Sequence, residues 1–400
     1  NRMSAGAYRG YGATQGIFAV ESTVNKLADR LSMDPIVLRQ KNMIHEGDVM
    51  PAYYGETANS CRLEECLLKA SDMIGWKEKG MRTVMPDGKI RARGVAMAMQ
   101  GSSISNCDVG SVTVKLSDEG TYHITVGCTD MGTGCDTIIA QFAADVLETP
   151  IDNISVYGVD TDISPYDSGS YASSTTYLTG MAAVKACEQL RERIIALAAV
   201  RMNKDASTLT FDGENVIDES DGAKMSLFDI ATASMCNNEI SLEVTYSHSS
   251  PVSPPPFMAA CAEIEADPET GAIELLDYTA CVDCGTVVNT NLARVQTEGG
   301  LLQGIGMTLY EDIWYDERGK NLSNSFMQYK VPSRLDTDRI RVEFDSSYEP
   351  TGPFGAKSIG EIVINTPAPA IADAVYNATG VWINELPITP EKILKGMKVI

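Results

Sequence analysis

The residue types best suited to chemistry lie in four loops rich in glycine, serine and threonine, at residues 8–12, 131–134, 168–176 and 303–306. Each loop falls beside a predicted strand or at a predicted helix end, where free backbone N–H groups can face an anion and glycine allows a close approach. The chain has 32 Lys and Arg against 54 Asp and Glu, a net charge of −22. An anionic cofactor must therefore be held by N–H groups and hydroxyls and not by a basic patch.

The loop at residues 168–176 is the most informative of the four. Its sequence, SGSYASSTT, offers six hydroxyls besides that of Tyr171 and no charged residue, which suits a pyrophosphate in an acidic protein. Any one of these loops alone is more simply explained as a tight turn. The chain has no Gly-Lys-Ser/Thr phosphate loop, and no Gly-x-Gly-x-x-Gly opens a strand–helix–strand unit, so ATP and NAD sites are disfavoured.

One carboxylate, Glu361, stands between the flexible Gly360 and the apolar run Ile362–Ile364. A carboxylate at the edge of an apolar pocket is desolvated and can act as a general base. From the residues alone, Glu361 is more often an ordinary loop carboxylate than a catalytic group.

Composition narrows the class of protein. Apolar residues make up 44% of the 400 residues and charged residues 22%, which is ordinary for a globular chain. The acidic balance disfavours nucleic acid as a partner, and no apolar run is long enough to span a membrane. The ten cysteines show no disulfide-scaffold or ferredoxin spacing, which indicates a reduced, cytoplasmic chain. Cys281 and Cys284 lack a second cysteine pair and are predicted to be structural.

The chain opens Asn1-Arg2-Met3 without an initiator methionine or a charged-then-apolar leader. It then enters the glycine-rich segment 6–12 before any capping element. We expect a chain that starts inside a domain.

Periodicity in the first half predicts helices and a hairpin. Apolar residues at steps of three and four predict a helix around residues 17–31, Asp34 and Pro35 start a short second helix, and residues 63–74 form a third. Charged, Gly/Pro-punctuated residues 77–93 suggest a linker or long loop. Apolar and polar residues alternate at 112–116 and 122–126, which predicts a hairpin. A glycine-rich turn, a helix at 137–147, a strand at 154–157 and a helix at 180–202 are predicted to follow.

The second half repeats this plan. Residues 259–266 and 273–282 predict another hairpin, and a turn at 283–291 leads into a helix that ends in residues 299–306. The proline-rich segment 249–256 connects the halves, and Thr389 caps a terminal helix that begins with Pro390. The fold class predicted is therefore α+β, with two related α+β subdomains.

Five motifs occur together in order: AYRGYGATQ at 7–15, DMGTG at 130–134, GSYASSTT at 169–176, QGIG at 303–306 and AKSIGE at 356–361. In these motifs the chain resembles the xanthine dehydrogenase family of molybdenum hydroxylases, specifically the C-terminal part of the molybdenum-binding subunit. The resemblance implies the molybdenum-cofactor-binding fold of aldehyde oxidases and xanthine dehydrogenases. It divides the chain into residues 1–93, the remainder of a first molybdenum-binding domain with a linker, and residues 94–248 and 249–400, the two subdomains of a second.

The resemblance also implies roles for individual residues. Glu361 matches the catalytic base, and Tyr11 matches an aromatic residue that packs on a flat substrate ring. Many family members carry Gln at the position of Thr133. No side chain is implied as a metal ligand, because the pterin dithiolene holds the molybdenum. The implied cofactor-binding residues are Arg9, Gly10, Gly132, Thr133, Ala172, Ser173, Ser174, Thr175, Gln303 and Gly304.

The activity implied by the resemblance is hydroxylation of an electron-poor carbon of a purine, such as xanthine or hypoxanthine, with a water-derived oxygen. Two electrons then pass to partner subunits that carry 2Fe-2S clusters and FAD, and the expected cofactor is molybdopterin cytosine dinucleotide. The alternative substrates are another N-heterocycle, as in nicotinate-type hydroxylases, or an aldehyde. An alternative function is that of a cofactor-binding or assembly piece that is inactive without the upstream part of the subunit. Carbon monoxide dehydrogenases carry a copper-binding cysteine where this chain has Gly10, which disfavours that branch.

Overall fold

A computed structural model describes residues 6–236, 240–333, 335–336 and 339–400, with the side chain of Cys236 left out. Asn1, Arg2 and Met3, where the sequence suggested a start inside a domain, lie outside the described residues. No helix in the described ranges combines the length and apolarity needed to cross a bilayer.

The predicted helices begin and end close to where capping residues and periodicity place them, whereas the helices at residues 76–79, 227–236 and 367–379 were not predicted. Asp34 accepts a hydrogen bond from the backbone of Ile36 at the start of the second helix, and Thr389 caps the last one. The helices are α1 (Ala13–Arg30), α2 (Pro35–Gln40), α3 (Leu63–Ile74), α4 (Trp76–Lys79), α5 (Cys135–Leu147), α6 (Gly180–Met202), α7 (Leu227–Cys236), α8 (Thr290–Leu309), α9 (Pro367–Thr379) and α10 (Pro390–Gly396).

The strands include both predicted hairpins and several strands that the sequence analysis missed, among them β4, β11 and β14. They are β1 (Val49–Met50), β2 (Glu56–Thr57), β3 (Arg82–Val84), β4 (Ile90–Met99), β5 (Gly110–Leu116), β6 (Tyr122–Val126), β7 (Ile154–Gly158), β8 (Leu209–Phe211), β9 (Asn215–Asp218), β10 (Lys224–Ser226), β11 (Glu243–His248), β12 (Phe257–Ala266), β13 (Ile273–Asp283) and β14 (Ile340–Phe344).

The described chain forms two compact units. The first unit contains the described residues within 1–100, 254–349 and 359–400, and the second contains those within 101–253 and 350–358. The main sheet of the first unit has the order β14-β13-β12-β4-β3, and that of the second has the order β11-β5-β6-β7. The division into 1–93, 94–248 and 249–400 stays a prediction.

The two units share the predicted hairpin–helix arrangement, although the strand that completes each sheet follows the hairpin in the second unit and precedes it in the first. In the second unit the β5–β6 hairpin is followed by α5 and then by β7, which is parallel to β6. In the first unit the β12–β13 hairpin is followed by α8 and then by β14, which is parallel to β13. A further antiparallel strand completes each sheet, β11 beside β5 and β4 beside β12. Helix α6 packs on β5 and β11, as α9 packs on β4 and β12.

The prediction of a linker or loop at residues 77–93 is wrong, because β3 and the start of β4 lie there. Strand β4 runs antiparallel to β12, and its charged side chains pair across the strands. Arg91 Nε lies 2.9 Å from Glu265 Oε2, and Arg93 pairs with Glu263. Because each of these arginines pairs with a glutamate on the neighbouring strand, a buried strand can carry the charged residues that suggested a loop.

Candidate functional site

In the first unit, the turn at residues 8–12 brings the backbone of Gly10 to the side chain of Glu361. Tyr11 N–H donates to Tyr8 O at 2.9 Å, and α1 begins immediately afterwards. The N–H of Gly10 donates to Glu361 Oε1 at 3.1 Å. Two residues separated by 351 positions are therefore in direct contact, and the backbone amide fixes one oxygen of the half-buried carboxylate.

Gly10 is required at this turn for two physical reasons. Its φ is +86°, in the region that side chains disfavour. A Cβ at this position would lie 2.5 Å from Thr14 Oγ1 and 2.9 Å from Ile364 Cγ2. The contact with Glu361 therefore depends on a position that has no room for a side chain, including the cysteine of the copper-containing branch.

The Arg9 side chain connects the same turn to α8 and to the residue before Glu361. Its Nε donates to Gly360 O at 2.5 Å, Nη1 donates to Gln303 Oε1 at 3.1 Å, and Nη2 donates to Gln296 Oε1 at 3.0 Å. Burial lowers the pKa of the Arg9 guanidinium, and the negative charge of Glu361 opposes that shift. The Arg9 side chain therefore holds the turn and Gly360 in place.

The other predicted residues of the first unit differ in exposure. Tyr11 is 74% exposed, and Gln303 is exposed apart from its contact with Arg9. Gly304 is buried, and a Cβ there would lie 2.6 Å from Pro367 Cγ. Close helix packing thus explains the glycine at position 304.

In the second unit, the loop at residues 130–134 is folded around the carboxylate of Asp130. Its Oδ1 accepts hydrogen bonds from the N–H groups of Gly132 at 2.9 Å and Gly134 at 3.1 Å. Partial burial opposes ionisation, but these N–H groups outweigh it and lower the pKa of Asp130. Gly132 has φ +99°, and Gly134 directly precedes α5. The loop, with Thr133 at its centre, therefore lies at a helix N-terminus, and the Asp130 carboxylate is the anion that the helix dipole stabilises there.

The loop at residues 168–176 has an unusual backbone. Ala172 and Ser173 have φ of +51° and +57°, so two consecutive residues other than glycine are left-handed. Each such residue costs about 1–2 kcal/mol. The backbone then enters a π-helical turn at Thr175–Thr179, which continues directly into α6. Strained backbone and π-turns of this kind concentrate at functional sites.

The hydroxyls of this loop have distinct environments. Ser170 Oγ donates to Thr129 O at 3.2 Å, which brings the loop next to the one at 130–134, and Ser174 Oγ donates to Gly169 O at 3.1 Å. Thr175 Oγ1 is buried and has no hydrogen-bond partner among the described residues. A buried hydroxyl at the start of a long helical segment is suited to donate a hydrogen bond to a bound anion.

Comparison with known proteins identifies a family and several relatives of this chain. Residues 69–338 and residues 1–43 match two profiles that are both described as molybdopterin cofactor-binding domains. The chain is 37% identical over 407 residues to the probable hypoxanthine oxidase XdhD of Escherichia coli K12, which covers 99% of this chain and 42% of that protein. It is 32% identical over 403 residues to the putative xanthine dehydrogenase molybdenum-binding subunit XdhA of the same strain, which covers 98% of this chain and 53% of that protein.

Solved structures share the fold. The quinoline 2-oxidoreductase of Pseudomonas putida 86 superposes with a TM-score of 0.86 at 26% identity, over 98% of this chain and 53% of that chain. The carbon monoxide dehydrogenase of Oligotropha carboxidovorans gives a TM-score of 0.87 at 25% identity, over 99% and 53%. The chain belongs to the molybdopterin cofactor-binding family, and the relatives it matches include proteins of the xanthine dehydrogenase type. It spans about half the length of the relatives it matches.

The sequence analysis missed Gln296, which holds the Arg9 guanidinium from α8 with both its side-chain and backbone oxygens. One signal could have identified it. Gln296 precedes Gln303 by seven residues, or two helical turns, so both glutamines lie on one face of the helix.

Proposed function

We propose that the loops at residues 132–134 and 172–175 hold the phosphate groups of a molybdenum cofactor, in its cytosine dinucleotide form. Three features support this: the loops adjoin each other, the second loop precedes the N-terminus of α6, and Thr175 has a buried hydroxyl with no partner among the described residues. Backbone N–H groups and hydroxyls bind an anion without a basic patch. The strain at Ala172 and Ser173 is then offset by binding.

We further propose that Glu361 is the general base of a hydroxylase. The observation that carries this proposal is the hydrogen bond from the Gly10 amide to Glu361 Oε1. When bound, the molybdenum cofactor supplies the two-electron redox step and raises the acidity of a water-derived oxygen. Glu361 would accept a proton at its carboxylate, which the Gly10 amide orients. Arg9, held by Gln296 and Gln303, keeps Gly360 and therefore Glu361 in position.

The substrate we propose is a purine such as hypoxanthine or xanthine. The supporting observation is that relatives at 37% and 32% identity carry those substrates in their names. Other N-heterocycles and aldehydes are the alternatives, because relatives at 28% and 29% identity are named for nicotine hydroxylation and aldehyde oxidation. The lack of space for a side chain at Gly10 argues against a copper-binding cysteine and therefore against carbon monoxide.

The electron path requires partners. No ferredoxin-type cysteine spacing occurs in the sequence. We propose that 2Fe-2S and FAD subunits, together with the upstream part of the molybdenum subunit, complete a cytoplasmic enzyme.

The test is the Glu361→Gln variant of the complete complex, assayed with hypoxanthine and xanthine and analysed for molybdenum and released CMP. Gln keeps the shape of the side chain but cannot accept the proton, so kcat falls by about 10²–10⁴-fold while molybdenum content stays at the wild-type level. Glu343→Gln, at an exposed position on β14 of the same unit, is the matched control and keeps full activity.

Near-normal turnover in Glu361→Gln would remove Glu361 from its proposed role. An intact wild-type complex with neither molybdenum nor pterin would refute the hydroxylase. Molybdenum without CMP would retain the enzyme class and refute only the cytosine dinucleotide.

A further inference from the structure

The strained loop at residues 168–176 carries a side chain that the assignment of the cofactor phosphates does not use, that of Tyr171. Its hydroxyl donates a hydrogen bond of 2.6 Å to Asp108 Oδ1. The other carboxylate oxygen of Asp108 accepts from the backbone N–H of Ile104 at 2.7 Å. Asp108 is only 1% exposed, whereas Tyr171 is about half exposed. The loop is therefore tied to a buried carboxylate that lies outside it.

The hydrogen bond between Tyr171 and Asp108 is of a strong type. A hydrogen bond from a hydroxyl to a carboxylate is shorter and stronger than one between two neutral groups. The Asp108 carboxylate raises the pKa of the Tyr171 hydroxyl to about 12. The phenol therefore keeps its proton at neutral pH and remains a hydrogen-bond donor.

The beginning and the end of the same loop are also fixed by hydrogen bonds. The N–H of Val109 donates to Ser168 Oγ at 2.6 Å, and that hydroxyl donates to the carbonyl oxygen of Val109 at 3.0 Å. The Asp167 carboxylate accepts from the N–H of Gly169 at 2.8 Å and from Thr179 Oγ1 at 2.9 Å. Asp167 therefore joins the two ends of the loop, and Asp108 and Val109 hold its first half.

These contacts leave a short stretch of backbone to carry the strain. Tyr171 is anchored at one side of it, and the π-helical turn Thr175–Thr179 begins at the other. Only residues 172–174 connect the two, and Ala172 and Ser173 are the residues with left-handed φ. Strained residues of this kind persist only where the surrounding structure over-determines them. The hydrogen bond from Tyr171 to Asp108 is such a constraint, placed directly before the first strained residue.

We propose that Tyr171 is a positioning residue that, through its hydrogen bond to Asp108, holds residues 172–175 in their phosphate-binding conformation before a ligand arrives. The proposal rests on the proposed function, because it takes this loop to be the one that holds the cofactor phosphates. Without the anchor, the empty loop relaxes, and binding must restore the left-handed backbone at the expense of affinity. Tyr171 acts through the backbone that follows it and needs no contact with the cofactor.

The experiment measures the rate at which molybdenum leaves the purified complete complex in the Tyr171→Phe variant. Phenylalanine keeps the ring and removes only the hydroxyl. A hydrogen bond to a charged group corresponds to about 10- to 100-fold in an equilibrium constant, and changes in affinity appear mainly in the dissociation rate. We therefore expect molybdenum to leave Tyr171→Phe about 10- to 100-fold faster than the wild type. Tyr166→Phe, at a 76% exposed tyrosine of the same unit, is the matched control and keeps the wild-type rate.

Two further readouts separate positioning from a general loss of stability. In the complex freed of cofactor, amide hydrogen exchange at residues 169–175 should be about 10- to 100-fold faster in Tyr171→Phe, with exchange elsewhere unchanged. Adding Ala172→Gly to Tyr171→Phe should slow the release of molybdenum again by about 5-fold or more, because glycine adopts a left-handed backbone without the steric penalty. A general loss of stability would not be restored by a glycine, which lowers stability at ordinary positions.

The outcomes distinguish this proposal from the function on which it rests. Wild-type release of molybdenum from Tyr171→Phe would overturn the positioning role and leave the proposed function in place. Faster release that Ala172→Gly does not slow would overturn the role as well. A wild-type complex that carries no molybdenum would instead refute the proposed function. Exchange at residues 169–175 still tests the anchor in that complex, and equal exchange in Tyr171→Phe and the wild type would show that the hydrogen bond to Asp108 does not hold the loop.

Discussion

Replacing Gly10 by alanine tests whether the turn beside Glu361 depends on the absence of a side chain. The new Cβ would lie 2.5 Å from Thr14 Oγ1 and 2.9 Å from Ile364 Cγ2, both closer than real Cβ contacts. Gly12 is a matched control in the same turn. It has nearly the same φ, +83° against +86°, but nothing lies within 4 Å of the position that an alanine Cβ would occupy there.

The two substitutions separate backbone strain from steric overlap. Alanine at a left-handed position costs about 1–2 kcal/mol, and this applies to both glycines. Overpacking at a close contact adds about 1–3 kcal/mol, and this applies only to Gly10. We therefore expect the free energy of unfolding to fall by about 1.5 kcal/mol in Gly12→Ala and by about 3.5 kcal/mol in Gly10→Ala.

The assay is urea unfolding followed by tryptophan fluorescence. All three tryptophans, Trp76, Trp314 and Trp382, lie in the first unit, so the signal reports the unit that contains Gly10. The midpoint should shift without a change in the slope of free energy against urea. If Gly10→Ala is no less stable than Gly12→Ala, the packing argument is refuted, and with it the structural reason for excluding a cysteine at position 10.

Two further predictions concern buried polar groups. Burial raises the pKa of Asp373 to about 7, and the positive charge of Arg39 opposes the shift. An unfolded aspartate ionises near pH 4, so the folded state holds a proton that the unfolded state has lost. The free energy of unfolding should therefore fall by about 2 kcal/mol as the pH rises from about 5.5 to about 7. Asp373→Asn should abolish that loss in urea unfolding at the two pH values, and an unchanged slope against pH would contradict this assignment. Thr175→Val should reduce the molybdenum content of the purified complex without lowering its stability. The control is Tyr122→Phe, which removes another buried hydroxyl that has no partner among the described residues and should leave the molybdenum content unchanged. Equal molybdenum content in the two variants would argue against Thr175 as a phosphate ligand.

Helix α1 shows where sequence periodicity reaches its limit. The apolar spacing correctly predicts the helix, but Val20, Leu27 and Leu31 are about half exposed, and the buried face carries Glu21 and Asn25. The reason is Arg39 of α2, which donates to Glu21 Oε2 at 2.7 Å and to Asn25 Oδ1 at 2.8 Å in the interior. A buried guanidinium needs such partners, so the polar face of α1 turns inward.

The sequence by itself determined the family and some of the local elements. Capping residues, hairpin alternation and five motifs depend on residues that are near one another in the chain, and they predicted the starts of α2 and α10 and both hairpins, but not β4, β11 or β14. Only the tertiary structure decided which distant groups meet. The Gly10–Glu361 contact joins residues 351 positions apart, Gln296 reaches Arg9 across 287 positions, and β4 pairs with β12 where charge suggested a linker. Short-range preferences carry no information about such contacts, because the partner that satisfies each buried charge or amide is supplied by another element of the fold.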